Sequence, residues 1–397
     1  MRRVSGARAA GLGLMLLLAG CMATGSVRAA TLLLPRSISV QIDGQPERAV
    51  APQLPLHWDA EQRGSPGRAR LLFDLPPSDG SVQQALLLTR VGNTYRVSLD
   101  GQVLASQGEP GNARHDYAKR PRLVLLPLQP ASTAPGRLVI EIDAQQARKA
   151  GVGPVLFGPA SEISAQHASS TFFRWDLSLV IVAISSMLGA LSMLLWLRQR
   201  ERLYLVYGAG ELLFALHASD TLLAVTPLPW PWWGAVSYSA HGLAWLLMFQ
   251  FALMGVGRAR GRVARANGAL MVLVPLLLTV SVVGATPALE LLVMVVVQLM
   301  ALATGLAVVS TGLRSHALEK QTLALAMTGL LLVLARDAFV LVIQPYSGLF
   351  ARWGSHYGET PWSRYGWVVF GITMAWTLAE RLRRASLEVS EANREMA

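Results

Sequence analysis

The sequence predicts an exported all-β domain, a jelly roll or sandwich, joined to a membrane bundle of seven α-helices. Three observations predict it. An export signal opens the chain. Short alternating runs broken by Pro, Gly and Asp fill residues 31–165. Beyond residue 166, long apolar runs recur, and Arg-rich connections alternate with connections that carry almost no basic residue.

Composition sets the class. Of 397 residues 52% are hydrophobic, the mean hydropathy is +0.40, and charged residues make up 15%. Soluble domains carry about 25% charged residues, so an integral membrane protein with some soluble mass is expected. The formal charge of +11 raises nucleic acid as a partner, and its distribution argues against it. Residues 31–165 hold 14 Lys/Arg against 12 Asp/Glu, residues 166–397 hold 17 against 12, and the first 30 add four Arg and no acid. The excess lies at the N-terminus and beside apolar segments, with no aromatic-rich basic face, which is a topology signal.

Residues 1–29 read as a secretory signal: a basic start, then an apolar core at Gly11–Ala19 that is too short to span. Leu18-Ala19-Gly20-Cys21 resembles a lipobox, in which the thiol would be lipidated. Ordinary cleavage after Ala29 is the other reading. Both export the β-region. Cys21 is the one cysteine, so no intrachain disulfide is expected.

From residue 31 to 165 the runs SISVQID, ARLLFDL, ALLLTRV, TYRVSLD, RLVLLPL and GRLVIEID have strand length and turn-forming boundaries. Tyr95–Leu99 alternates and runs into Asp100-Gly101, a favoured type I′ hairpin turn. Eight or so short strands suit a sandwich or jelly roll. The polar stretch Gly108–Arg120 is expected to be a long loop at one end.

Residues 172–378 hold the apolar runs of spanning length, ~20 residues each. They are Leu177–Leu197, Tyr204–Val225, Trp233–Val256, Gly268–Val283, Leu289–Leu313, Thr322–Ile343 and Tyr365–Leu378. The connections after spans one, three and five and the start of the tail carry twelve basic residues, and the other connections carry two, Arg352 and Arg364. Basic connections stay inside. The β-domain is therefore expected outside and the tail inside a bacterial plasma membrane. Trp230, Trp232, Trp233, Trp353 and Trp362 fall at the outer ends, as an interfacial belt would.

The tail, residues 379–397, continues a heptad seam: Leu378, Leu382, Ala385, Val389, Ala392 and Met396, with charged residues between. Such a seam calls for a second copy of the helix, so a homodimer is expected.

Several stretches together resemble one family. RVGNTYRVSLDGQVL looks like its strand–turn–strand with an Asn, an aromatic and a D/N-G turn. Pro127 and Gly136-Arg137-Leu138 resemble a later proline and a glycine-led strand. VLFGPASEI, with Gly158-Pro159, looks like the lead into the first membrane helix, and RERLYLVYGAGELLFAL like the charged first loop with its Tyr-Leu. In this order they resemble the bacterial seven-transmembrane receptors with diverse intracellular signalling modules. That resemblance covers nearly the whole chain. It implies an outer domain similar to carbohydrate-binding jelly rolls, a small extracytoplasmic ligand, and a cytoplasmic effector. The effector would be a histidine kinase with its response regulator, as in two-component systems, or a diguanylate cyclase. None of these effector motifs occurs in residues 379–397, and the effector is expected beyond them or on a partner.

Ionisable residues inside spans are costly and usually paired or functional. Here they are Glu211, His217 and Asp220 in the second span, His241 in the third, and Arg336 and Asp337 in the sixth. A rise of ~1.5 Å per residue puts His217, His241 and Arg336 at similar depth in the outer half of a ~30 Å core. One polar cluster joining three spans is the expectation. A structural ion pair of Arg336 with Asp220 or Asp337, a ligand- or proton-sensitive switch, and a metal site remain open for it. No metal is expected, since the close helical ligand spacing is missing. In the β-domain Trp58, Arg90, Asn93, Tyr95 and Arg96 are candidates for a sugar- or carboxylate-binding face, because aromatic faces stack and Arg forks hold acids. Tyr95 alternates with Val97 and Leu99, which also reads as core.

No G-x-S-x-G, H-E-x-x-H or P-loop occurs, so no catalysis and no cofactor is expected of this chain. A receptor accounts for the export signal, the charge asymmetry and the heptad tail together. A transporter or channel subunit using the polar cluster, or a membrane-anchored carbohydrate-binding module, are the alternatives.

Overall fold

The computed structural model describes residues 30–58, 62, 65–77, 80–128, 135–148, 150–339 and 362–396. In the last helix the side chains of residues 385, 388, 389, 391–393, 395 and 396 are outside that description. So are the signal segment with Cys21, and residues 340–361, which carry Arg352 and Trp353.

The β-region is a two-sheet sandwich. One sheet has the order β3 (Arg48–Val50), β2 (Ser37–Ile42), β5 (Gly67–Leu75), β10 (Gly136–Ala144), β7 (Thr94–Leu99), β8 (Gln102–Gln107). The other runs β1 (Thr31–Leu33), β12 (Val155–Pro159), β6 (Gln84–Leu88), β9 (Arg122–Leu125), and a short pair joins β4 (Leu56–His57) to β11 (Gly151–Val152). All pairings are antiparallel. In β5 the period of two sends Ala69, Leu71, Phe73 and Leu75 inward and Arg68, Arg70 and Asp74 outward. Leu71, Phe73, Leu86, Leu88, Val97 and Ile140 from both sheets share one core with Trp58. Burying each large apolar side chain contributes about 1.5–3 kcal/mol. Asp100 and Gly101 both take positive φ, 49° and 87°, as a type I′ turn requires.

β6 breaks the alternation for a physical reason. Leu86 and Leu88 face the sandwich core, while Ala85 and Leu87 pack with Leu156 against Ile163 of the first helix. With both faces covered, the strand reads as a continuous apolar run.

Seven long helices follow among the described residues: α1 Ala160–Gln199, α2 Arg202–Ser219, α3 Trp232–Gly255, α4 Arg262–Val283, α5 Pro287–Leu313, α6 Leu318–Ala338 and α7 Ser363–Met396. Four of them, α1, α4, α5 and α6, are long and apolar enough to cross a membrane. α2 has 18 residues and carries Glu211 and His217, α3 carries three Trp with Tyr238 and His241, and α7 runs into a charged tail. Each helix packs against the next, and α7 closes the ring on α1. α3 also touches α5 and α6 and is buried on most sides, with Trp245, Phe249 and Phe251 inside. The bundle core gathers Tyr207, Phe214, Phe249, Trp367 and Phe370.

Besides α7, which runs on into the tail, three helices depart by more than five residues from the apolar runs that announced them; α4 begins at Arg262, six residues before Gly268. α1 begins 17 residues before Leu177, because its first turns are an amphipathic cover for β6, β9 and β12. α2 ends at Ser219, not at Val225; Asp220–Leu222 form a 3₁₀ turn, and the residues after it pair with the β-domain.

Candidate functional site

The loop Gly108–Arg120 is where the two parts meet. It is first fixed to its own domain. Asn93 is fully buried; its Nδ2 donates to Asp116 Oδ1 at 3.0 Å, and its Oδ1 accepts the Gln145 N–H at 2.9 Å. Arg148 NH1 donates to the Ala113 and His115 carbonyls at 2.8 and 3.1 Å, and its Nε lies 3.4 Å from Asp116 Oδ2. Burial pulls the Arg148 pKa below its ordinary value, and the Asp116 carboxylate offsets part of that. Gly111 N–H donates to Asp143 Oδ2 at 3.0 Å. Gly108 has φ +80°, and a Cβ there would meet Thr94 Cγ2 at 2.7 Å, so the turn requires glycine.

The fixed loop then pairs with the α2–α3 connection. Asp116 N–H donates to Ala224 O at 2.8 Å, Thr226 N–H to Arg114 O at 2.9 Å, and Trp230 N–H to Ala113 O at 2.9 Å. His115 and Val225 face each other as an antiparallel bridge. Arg114 Nε returns a bond to Thr226 O at 2.9 Å. Side chains reinforce the ladder. Lys119 Nζ sits 2.6 Å from Asp220 Oδ1 and 3.3 Å from Asp116 Oδ2. Trp233 Nε1 also donates to Asp220. Trp230 Nε1 donates to Gln146 O at 2.6 Å, with the Arg148 guanidinium 5.1 Å from its ring centroid. Backbone ladder and charge-assisted bonds together hold two segments more than a hundred residues apart in one geometry. Beside this seam lies a cleft of about 240 Å³, lined from the β-domain by Asp43, Gly67 and Asp143 and from the helices by Trp230 and Val282.

The six intramembrane candidates fall at three places, with Arg364 in electrostatic reach of both Asp220 and Asp337. Asp220 belongs to the seam between the β-domain and the α2–α3 connection. Arg336 pairs with its neighbour Asp337 at 2.7 Å and lies 4.5 Å over the Trp362 ring. Asp337 accepts the N–H groups of Trp362 at 3.0 Å and Ser363 at 2.7 Å, so a carboxylate caps the start of α7. The His217 and His241 rings lie 4.1 Å apart, with Ser237 Oγ 3.0 Å from His217 Nδ1 and Trp245 Nε1 donating to His241 Nε2 at 3.2 Å. Glu211 is 1% exposed, and its Oε2 accepts Trp367 Nε1 at 3.0 Å. The Tyr207 hydroxyl beside it donates to Gly371 O at 2.8 Å. Trp245 stands edge-on to Trp367 at 4.9 Å, which links the histidine pair to Glu211 through aromatic rings. No group of three or more His, Cys, Asp or Glu suited to a metal occurs among the described residues.

The five β-domain candidates do not share a face either. Trp58, Asn93 and Tyr95 are buried, Arg90 is half-buried, and Arg96 is on the outer side of the six-stranded sheet beside Glu141. Trp58 Nε1 is used internally, donating to Ser65 O at 2.6 Å. In the heptad seam, Leu378 is buried in the bundle and Leu382 is 37% exposed. The side chains of Ala385, Val389, Ala392 and Met396 lie outside the described residues. The tail side of α7 is tied down: Arg384 NH1 lies 2.8 Å from Glu319 Oε1, and Arg381 NH2 donates to Gly255 O at 3.1 Å.

Sequence reasoning missed Asp116, Lys119, Arg148 and Thr226. Its one available signal was the polar, Gly-containing stretch Gly108–Arg120 itself, which marked a long loop without saying what it touches.

No protein-family model matches the chain, and no curated protein matches it. Among solved structures it is similar to a GH2 beta-galacturonidase from Eisenbergiella tayi bound to galacturonate, with 16% identity, a TM-score of 0.25, and coverage of 34% of this chain and 25% of that one. It is similar to a Faecalibacterium prausnitzii beta-glucuronidase at 13% identity and a TM-score of 0.25, over 34% and 33% of the two chains. A GH31 alpha-xylosidase from Xanthomonas citri matches at 14% identity and a TM-score of 0.24, over 35% and 17%. The chain thus spans a third or less of each of these enzymes, and likeness at this level assigns no activity.

Proposed function

We propose that this chain is a membrane receptor. Its β-domain takes an extracytoplasmic ligand and passes the event through seven membrane helices to the helix that leaves the membrane at the tail. The observation that carries this is the ladder between Ala113–Asp116 and Ala224–Trp230, sealed by Lys119–Asp220. An anchor needs no such bonding between a soluble domain and a helix connection. A ligand in the cleft beside the ladder would touch both parts, and it shifts their arrangement only by binding one arrangement better than the other. The Asp43 and Asp143 carboxylates in its wall suit a ligand that donates hydrogen bonds.

The twelve-to-two distribution of basic residues supports a plasma-membrane location with the β-domain outside and the tail in the cytoplasm. The heptad spacing of the tail supports a homodimer. The resemblance to the seven-transmembrane receptors makes a histidine kinase the first choice of effector, with a diguanylate cyclase second.

The test joins the catalytic part of a histidine kinase to residue 397 in heptad register. Lys119→Ala and Asp220→Asn change only the outer seam, so each is expected to change autophosphorylation in vesicles at least twofold. Output equal to that of the unmodified fusion in both variants sinks the receptor reading.

A further inference from the structure

α1 is not a plain α-helix where it passes from the β-domain into the bundle. Phe172–Asp176 form a π-helical turn. In an α-helix each N–H bonds the carbonyl four residues back, so Leu177 N–H would take Phe173 O. It takes Phe172 O instead. The carbonyl that Leu177 N–H passes over, Phe173 O, accepts the Tyr365 hydroxyl of α7 at 2.9 Å. The two bonds ask for different directions of that carbonyl, outward to α7 or along the axis of α1, and one of the two donors belongs to the helix that runs on into the tail.

The same five residues are held from the β-domain. Arg174 NH1 donates to the Thr89 carbonyl, and the Arg120 guanidinium lies 4.8 Å from the Trp175 ring centroid. Thr89 follows β6, and Arg120 ends the loop that docks on the α2–α3 connection. The turn also touches the 3₁₀ turn at Asp220–Leu222. Both routes from the β-domain into the bundle, the strand end and the docking loop, thus reach this turn within a few residues. Short π turns are frequent at functional sites, and each holds one residue more than the α-helical path needs.

We propose that Phe172–Asp176 is a register switch that links the β-domain to α7. In the present state Tyr365 holds the Phe173 carbonyl. In the other state Leu177 N–H takes that carbonyl, the turn becomes α-helical, and α7 is released from α1 at Tyr365. A displacement of Thr89 or Arg120 pulls Arg174 or Trp175 and selects between the two. This deepens the receptor reading and rests on it.

The test uses the full chain in lipid nanodiscs, with Cys21→Ser and spin labels at His316→Cys and Ser386→Cys to report where the tail helix stands against the α5–α6 connection. Two changes force the second state. Tyr365→Phe removes the competing donor, and deletion of Phe172, which is half-exposed, removes the extra residue. Both are expected to move the label distance in the same direction, by about the ~1.5 Å rise of one residue or more. Combining them should add nothing. Carbonyl-¹³C Phe with ¹⁵N Arg marks Phe173-Arg174, the one Phe-Arg peptide in the sequence, and its carbonyl resonance should shift in Tyr365→Phe. Melting temperature and gel filtration confirm folded protein. A resonance that stays put, or a label distance unchanged in both variants, overturns the switch. Asp220→Asn separates the two readings. If it moves the labels while the turn variants do not, the receptor reading stands without this route; if nothing moves them, both fall.

Discussion

Glu211 holds two helices together with one carboxyl. Trp367 donates to it, and a Cβ on Gly371 would come within 2.3 Å of Glu211 Oε1. The carboxyl could turn away from a larger residue only by giving up Trp367. Gly371→Ala is therefore expected to cost about 1–3 kcal/mol by overpacking. In a Glu211→Ala background the same change should cost much less, with a coupling of about 0.5–3 kcal/mol in the double-mutant cycle. Thermal unfolding in detergent measures both, and additive effects would refute the contact. Asn93 makes a second case. Asn93→Ala strands the buried Gln145 N–H and removes a partner of Asp116, at about 1–3 kcal/mol for each group left unsatisfied. Limited proteolysis should then cut Gly108–Arg120 several-fold faster. Asn93 stood out in the sequence as a candidate for a ligand-binding face. Its partners lie 23 and 52 residues away, a separation at which strand periodicity carries no information.

Elements whose partners lie nearby in the sequence were easier to read. The β7–β8 hairpin follows from strict alternation and the Asp-Gly turn, because side-chain period and turn chemistry are local properties. The end of α2 was not readable. Leu222, Leu223, Ala224 and Val225 are as apolar as a helix interior, yet residues 224–226 serve the ladder with Arg114, His115 and Asp116. Apolarity reports burial and not the partner that supplies it. The tail end of α7 carries a pH signature. Hydrogen bonds from Arg383, and then Arg384, hold the half-buried Glu380 carboxyl at about 2, below the ordinary 4.5. A depressed carboxylate contributes stability that is complete above 4.5 and is lost as pH falls through about 2. The Cα chemical shifts of residues 381–386 are expected to move toward coil across that window, weakly, and less at high salt. Glu380→Gln should remove the step.

At the scale of the whole molecule, the charge distribution and the seam fit the proposed orientation: the sandwich outside, bonded to one end of a helix bundle whose last helix runs toward the cytoplasm. Alkaline phosphatase, active only outside the cytoplasm, should be active when fused at Ala285 in the α4–α5 connection and inactive when fused after Met396. The reverse pattern would invert the orientation and remove the basis for an outer ligand. The central claim is that the seam and the tail are mechanically coupled. Hydrogen exchange over residues 379–396, measured on the full chain in nanodiscs with and without Lys119→Ala, addresses it most directly. The substitution lies in the β-domain, in the loop that docks on the α2–α3 connection. Exchange in the tail is predicted to change at least threefold while that of α5, which does not touch the seam, stays the same. Identical tail exchange in the two proteins, with the seam itself visibly loosened, would contradict the account.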